Sequence, residues 1–322
     1  MLRFIVGRLF ESLVVLALIS FATYGLIGLM PGDPIDIMVM ANPDLSPADA
    51  ARLKTLYGLD QPIFQRYLAW AANALSGDFG YSRLHTRPVT EVLWPRLGNT
   101  VVLLGLSLAL AIALAIPLGI LAAIKRYSLL DYGINLFCFA GISVPPFWLA
   151  LMLIILFAVQ LNWLPAGGMG APGAGLAERL PNLVLPVLTL TILSVGSFIR
   201  FMRAAMLQTM RQDFIRTARA KGAASVRVVV GHALRNALIP LATVIALSFG
   251  GLFSGALITE TMFAWLGMGK TIYDAILGSD YNLALVGLLL ATALTLFGNF
   301  LADIAYVALD PRVSFVGREA TR

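Results

Sequence analysis

The chain has 322 residues, 59% of them hydrophobic and only 12% charged. A soluble domain is about 45–50% apolar and about 25% charged, so this chain has too little polar surface to face water, which excludes a soluble enzyme, a disordered protein and a fibrous repeat. Cys138 is the single cysteine and His85 and His232 are the only histidines, so no intrachain disulfide or cysteine metal cluster can form, and the net charge of +6 reads as membrane orientation rather than nucleic-acid binding.

A membrane helix needs about 20 predominantly apolar residues. Six stretches without Asp, Glu, Lys or Arg meet that need: Ser12–Gly32, Leu97–Ile124, Tyr132–Leu161, Leu180–Ile199, Asn236–Thr259 and Tyr281–Ala302. In hydrocarbon only a helix satisfies its own backbone, and these runs are too long for barrel strands. They predict an all-α polytopic fold with six transmembrane helices. The first run is longer than the apolar core of a signal peptide, and no small-x-small cleavage pattern follows it, so it reads as a retained anchor. The third is continued by Pro165–Gly175, a turn-rich loop.

Orientation follows from Lys and Arg. With the N-terminus in the cytoplasm, 15 of the 23 basic residues fall inside: at positions 3 and 8, at 125–126, between 200 and 235, and from 312 on. Both termini are therefore expected in the cytoplasm. The organisation is then residues 1–32 as N-terminus and first helix, an extracytoplasmic segment 33–96, and a core 97–322 with an inner loop 208–235. The outer segment mixes charge, aromatics and turns such as Pro31–Pro34.

Most motifs have bland explanations. Ala264–Thr271 approximates a phosphate-binding loop, but Ala264 stands where the first glycine belongs and the segment follows a membrane helix rather than a strand. This predicts no nucleotide bound by the chain itself. Neither histidine has carboxylates at metal-ligand spacing. The six apolar cores contain essentially no ionisable residue, and Glu11, Glu260 and Asp303 fall near span ends, as interfacial anchors or packing residues. Ion-coupled carriers keep such groups inside the bilayer, so energy for transport would come from elsewhere. Gly251 and Gly255 form a small-xxx-small pattern, and Pro117, Pro145, Pro146 and Pro186 interrupt the spans.

The inner loop carries the sharpest signal. Asp213–Lys221 is rich in helix formers and Gly222 is a natural stop; a second short helix is expected over Val226–Leu238. Such a loop can present a rigid knob to a partner or rest as a basic helix on anionic lipid.

Here the chain resembles the permease subunits of bacterial binding-protein-dependent ABC importers. Their signature is Glu-Ala-Ala-x3-Gly, followed nine residues later by Ile-x-Leu-Pro. Ala218, Gly222 and Leu234 match it, while Arg216, Thr217, His232 and Arg235 depart from it. Thr217–Gly222 and His232–Pro240 look instead like the dipeptide/oligopeptide branch. Pro31–Pro34, Gly58–Pro62, Gly77–Ser82, Ser143–Trp148, Leu164–Gly168 and Asp310–Arg312 resemble that branch too. Glu260–Gly269 matches a further loop pattern, with Leu266 where Pro is usual.

The resemblance implies the fold of a type I ABC importer permease, with an extracytoplasmic insertion after its first helix, in the bacterial inner membrane. It implies a second homologous permease, two cytoplasmic ATPases that hold ATP and Mg²⁺, and an extracytoplasmic solute-binding protein. The ATPase-coupling loop would comprise Asp213, Arg216, Thr217, Ala218, Arg219, Ala220, Lys221, Gly222, His232, Leu234 and Arg235. Met262, Phe263, Trp265, Gly267 and Gly269 would face the binding protein, as exposed apolar residues and turn glycines between two spans; a headgroup-belt anchor is the other reading of Trp265. A self-contained channel, an ion-coupled carrier and a membrane enzyme are the competing classes.

Overall fold

The computed structural model of the protein describes residues 2–29, 52, 61–171, 173 and 175–309. The motifs at 31–34 and 310–312 and most of that at 58–62 lie outside them. Five helices are long and apolar enough to cross a membrane: Ile5–Gly28, Val89–Ile124, Ala177–Thr209, Arg227–Ile245 and Tyr281–Leu301. A sixth span results if the bent pair Leu129–Ser143 and Pro146–Gln160 counts as one. The fold is thus all-α and polytopic.

The described residues fall into two compact units, one up to residue 100 together with 266–294, the other 101–265 together with residues from 295 on. The first holds α1 (Leu2–Gly28), α2 (Ile63–Leu75), strands β1 (Tyr81–Ser82) and β2 (Arg87–Pro88), and the start of α3 (Val89–Ile124). Tyr81 pairs with Pro88 and Ser82 with Arg87 in an antiparallel hairpin. Asp280 locks that hairpin. One carboxylate oxygen accepts from Ser82 Oγ at 2.5 Å and from the Leu84 amide at 2.9 Å. The other accepts from the Leu283 amide at 3.3 Å and so caps the last helix. Phe21 and Tyr24 of α1 meet Phe64, Tyr67 and Trp70 of α2 edge-on or tilted, the aromatic packing that joins these helices.

The second unit holds α4 (Leu129–Ser143), α5 (Pro146–Leu153, prolonged by a π-helical stretch Ile154–Gln160) and α6 (Leu176–Thr209). The helix expected over Tyr132–Leu161 is not continuous. The axis bends by 107° at Val144–Pro145. Consecutive prolines explain the bend. Proline disfavours a helical residue before it, so Val144 (ψ 129°) and Pro145 (ψ 137°) are extended, and Pro146 restarts the helix at its first position, where no amide is needed.

α4 lies hard against α6. A Cβ at Gly196 would stand 2.7 Å from the Cys138 carbonyl oxygen, so this approach admits only glycine. At one end of the pair Asp131 takes a bidentate ion pair from Arg203, with Nε at 2.8 Å and Nη2 at 2.7 Å. The Tyr127 amide and Asn135 Nδ2 also donate to the Asp131 carboxylate, at 2.9 and 2.8 Å. This buried carboxylate is therefore fully satisfied, which a charge at an apolar helix boundary requires. The surroundings of the Gly251–Gly255 pattern lie outside the described residues.

Candidate partner-docking sites

α6 ends at Thr209, and a short turn leads into α7 (Asp213–Ala220). Asp213 in the first turn and Arg219 in the last complement the helix dipole. Gly222 follows with φ +79°. Its amide donates to the Arg219 carbonyl at 2.9 Å and the next amide, of Ala223, to the Ala218 carbonyl at 3.1 Å. This is a Schellman stop, in which a left-handed residue lets the chain satisfy the last helical carbonyls.

Beyond it the stretch Val226–Leu238 is helical as expected, but it is not a separate short helix. A π-helical stretch, Arg227–Leu234, runs without a break into α8 (Arg235–Met262). The sequence holds no stop signal between 226 and 238, and Pro240 falls inside the helix. The loop is therefore one short helix and one tight turn set at the foot of a span.

The loop is anchored on one side only. Ile215 is buried in a cluster with Met202, Met206, Val228, Ala233 and Ala237, and Ala218, Ala223 and Leu234 pack against it. Burying such an isoleucine is worth about 1.5–3 kcal/mol. Asp213, Arg216, Thr217, Arg219, Ala220, Lys221, Gly222, His232 and Arg235 are exposed. So are Phe214, Val226 (74%) and Val230, apolar residues that water leaves unsupported. Sequence reasoning missed these three because which face Phe214 takes on α7, and Val226 and Val230 on the stretch after Gly222, is set by the seating of Ile215 and Val228.

The outer-loop candidates divide differently. Phe263 and Trp265, expected to be exposed, are 1% and 2% accessible. The chain leaves α8 through Ala264 at φ +48°, and burial then alternates: Phe263, Trp265 and Gly267 turn inward, Ala264 and Leu266 outward. Phe263 packs on Ala150 and Leu185, and its carbonyl accepts from the Gly168 amide at 2.8 Å. Trp265 packs among Leu103, Leu183, Leu190 and Ala256. They are core anchors, and neither a free contact patch nor a headgroup belt accounts for them. Met262 and Gly269 are half-buried. Gly267 precedes α9 (Met268–Leu277), where the lysine of the phosphate-loop look-alike, Lys270, pairs with Asp274 at 2.7 Å.

Residues 115–315 match the family described as "Binding-protein-dependent transport system inner membrane component", and residues 1–104 match "Binding-prot-dependent transport system membrane comp, N-term". The chain belongs to this family. The permease is 36% identical to the "Oligopeptide transport system permease protein AppB" of Bacillus subtilis (strain 168), across 98% of this chain and 100% of that one. It is 36% identical to the "Di/tripeptide transport system permease protein DppB" of Pseudomonas aeruginosa (strain UCBPP-PA14), over 97% and 99%. With the "Dipeptide transport system permease protein DppB" of Escherichia coli (strain K12) it shares 34%, over the same fractions. It is thus a multi-pass inner-membrane transport component of a binding-protein-dependent system.

Two features that the sequence reading passed over have local signals. Ser128-x-x-Asp131 is a helix-start pattern, and Ser128 Oγ accepts from the Asp131 amide at 3.3 Å. Asp280 immediately before an apolar run is an N-cap signal. Their long-range partners, Arg203 and the hairpin, have none.

Proposed function

We propose that this permease forms half of the translocation path for peptides or similar small solutes, paired with a second homologous permease. Two ATPases, holding ATP and Mg²⁺, dock on the loop around α7, and a solute-binding protein delivers from the opposite face. Both termini lie in the cytoplasm and the segment 33–96 lies outside. The observation that carries the coupling role is a loop seated by Ile215 yet presenting Phe214 on α7, and Val226 and Val230 beyond Gly222, among basic residues. Rim charges such as Arg216 and Arg219 add only about 0–1 kcal/mol each, so the apolar residues supply most of the contact. ATP binding closes the ATPases, which shifts the permease pair between inward- and outward-open states. The peptide class rests on the names that the relatives carry.

Reconstitution of the permease pair with ATPases and binding protein in vesicles tests this. Peptide uptake should require ATP inside and loaded binding protein outside, and Phe214→Asp with Val226→Asp should detach the ATPases. Peptide flux through this chain alone, without ATPases, would instead establish a self-contained channel or carrier. Retention of the ATPases by the double variant, with the apolar residues protected by anionic lipid, would make the loop a lipid-resting element.

A further inference from the structure

The hairpin and the first turns of α3 line an open polar cavity of about 460 Å³. His85, Arg87, Glu91, Arg96 and Asn99 line it, with Val92 and Pro95. Asn99 Nδ2 is committed to the Leu266 carbonyl at 2.8 Å, which fixes that wall. Among the described residues, the side chains of Arg87, Glu91 and Arg96 make no hydrogen bond and close no ion pair within 4.0 Å. Arg96 is half-buried and feels only the charge of Asp274, whose carboxylate is already bonded to Lys270.

Charges of opposite sign thus share one concavity without neutralising each other. A half-buried guanidinium with no acceptor is an unfavourable state that an incoming anion relieves. A simple anion would also meet Glu91. A ligand that brings both a carboxylate and an ammonium satisfies both walls. Glu91 and Arg96 are five residues apart on one helix, an axial offset of about 7.5 Å. Two extended residues span about 7 Å, so the offset suits the termini of a very short peptide.

We propose that this cavity reads the termini of short peptides: Arg96 holds the C-terminal carboxylate and Glu91 the N-terminal ammonium. The inference rests on the peptide reading and the outside location of residues 33–96 given above, and it adds a recognition site carried by the permease itself. The cavity has a drug-sized volume, within the ordinary range of small-molecule sites.

The test uses the assembled transporter in nanodiscs, with His85→Cys as reporter. Cys138 is buried, so within this chain a membrane-impermeant maleimide reads position 85, and labelling is read on the permease band after the subunits are separated. Alanyl-alanine should slow labelling at least about threefold at saturation, whereas its N-acetylated and C-amidated forms should not. Arg96→Gln and Glu91→Gln should each raise the half-protecting concentration about tenfold, the loss of one charge-assisted bond. The blocked peptides need no substitution, so the test survives if either variant fails to fold. Equal protection by blocked and free peptides, or none by alanyl-alanine while wild-type vesicles still import it, would overturn the site and leave the peptide reading standing. Protection that follows phosphatidylethanolamine content and ignores peptide would assign the cavity to a lipid headgroup. Protection by ligand-free binding protein would assign it to docking. Absence of peptide import by wild-type vesicles would instead overturn the peptide reading, and the site with it.

Discussion

Gly222 offers a test in which the magnitude follows from the backbone alone. Its φ of +79° lies in the left-handed region, and a Cβ built there meets nothing within 4 Å. Any penalty for substitution is therefore conformational and not a clash. Asparagine tolerates this region and should be nearly neutral. Alanine should cost about 1 kcal/mol and valine about 1–3 kcal/mol. Ile215 holds α7 from the other side, so the expected response to strain is a reoriented turn rather than loss of the membrane fold. ATPase co-purification and solute-stimulated hydrolysis in vesicles should fall in the order Gly, Asn, Ala, Val, while purified yield and thermal melting stay close to wild type. If asparagine uncoupled as completely as valine, the strain argument would fail, and Gly222 would matter for the space it leaves to a partner.

Three other outcomes are expected. Arg203→Met should destabilise the detergent-solubilised permease by about 3 kcal/mol, because Asp131 (3% accessible) is left charged beside an apolar core while Arg203 was 22% accessible. The double variant Asp131→Leu with Arg203→Met should melt higher than that single variant, and strict additivity in the melting temperatures would sink the buried-pair account. Asp280→Ala strands the Ser82 hydroxyl and the Leu84 amide, at about 1–3 kcal/mol each; limited proteolysis should then cut within 83–86 faster, and an unchanged pattern would show that the hairpin does not depend on this carboxylate. Leu75→Cys, at a highly exposed position, should react with an impermeant thiol reagent only from the outer face of intact cells. Reaction only after the cytoplasm is opened would invert the topology.

The apolar spans were legible because twenty residues without a charge have one physical solution in hydrocarbon. The stop at Gly222 was equally legible, since the next residues could not continue α7 and glycine alone enters the left-handed region freely. The bend at Val144–Pro145 was not resolved, although both prolines were noted. Hydropathy measures how much apolar chain is present and is blind to its direction. Phe263 and Trp265 show a second limit. Between two spans an aromatic pair suits a contact patch or a core equally well, and only the turn at Ala264 decides which way each ring points. The Asp131–Arg203 pair shows a third, because 72 residues separate partners that periodicity cannot connect.

A loop can drive a transporter only if it is joined to something that moves as a body. Within the second unit, α7 follows α6 after a short turn, and Ile215 shares one buried cluster with Met202 and Met206 of that same helix and with Val228 and Ala233 of the π-helical stretch. α6 is in turn held to α4 by the close contact at Gly196 and by the bidentate pair at Asp131 and Arg203, one steric and one electrostatic. Interlocked helices of this kind resist gradual deformation, because close-packed contacts cannot stretch without opening voids. A displacement of α7 is therefore passed to α6 and α4 together rather than absorbed in the loop. The soft point lies elsewhere, at Val144–Pro145, where the chain carries no helical hydrogen bonds across a 107° bend. Under the proposed coupling, motion imposed at the cytoplasmic loop would turn α4 and α6 as one piece and concentrate the change of shape at that bend.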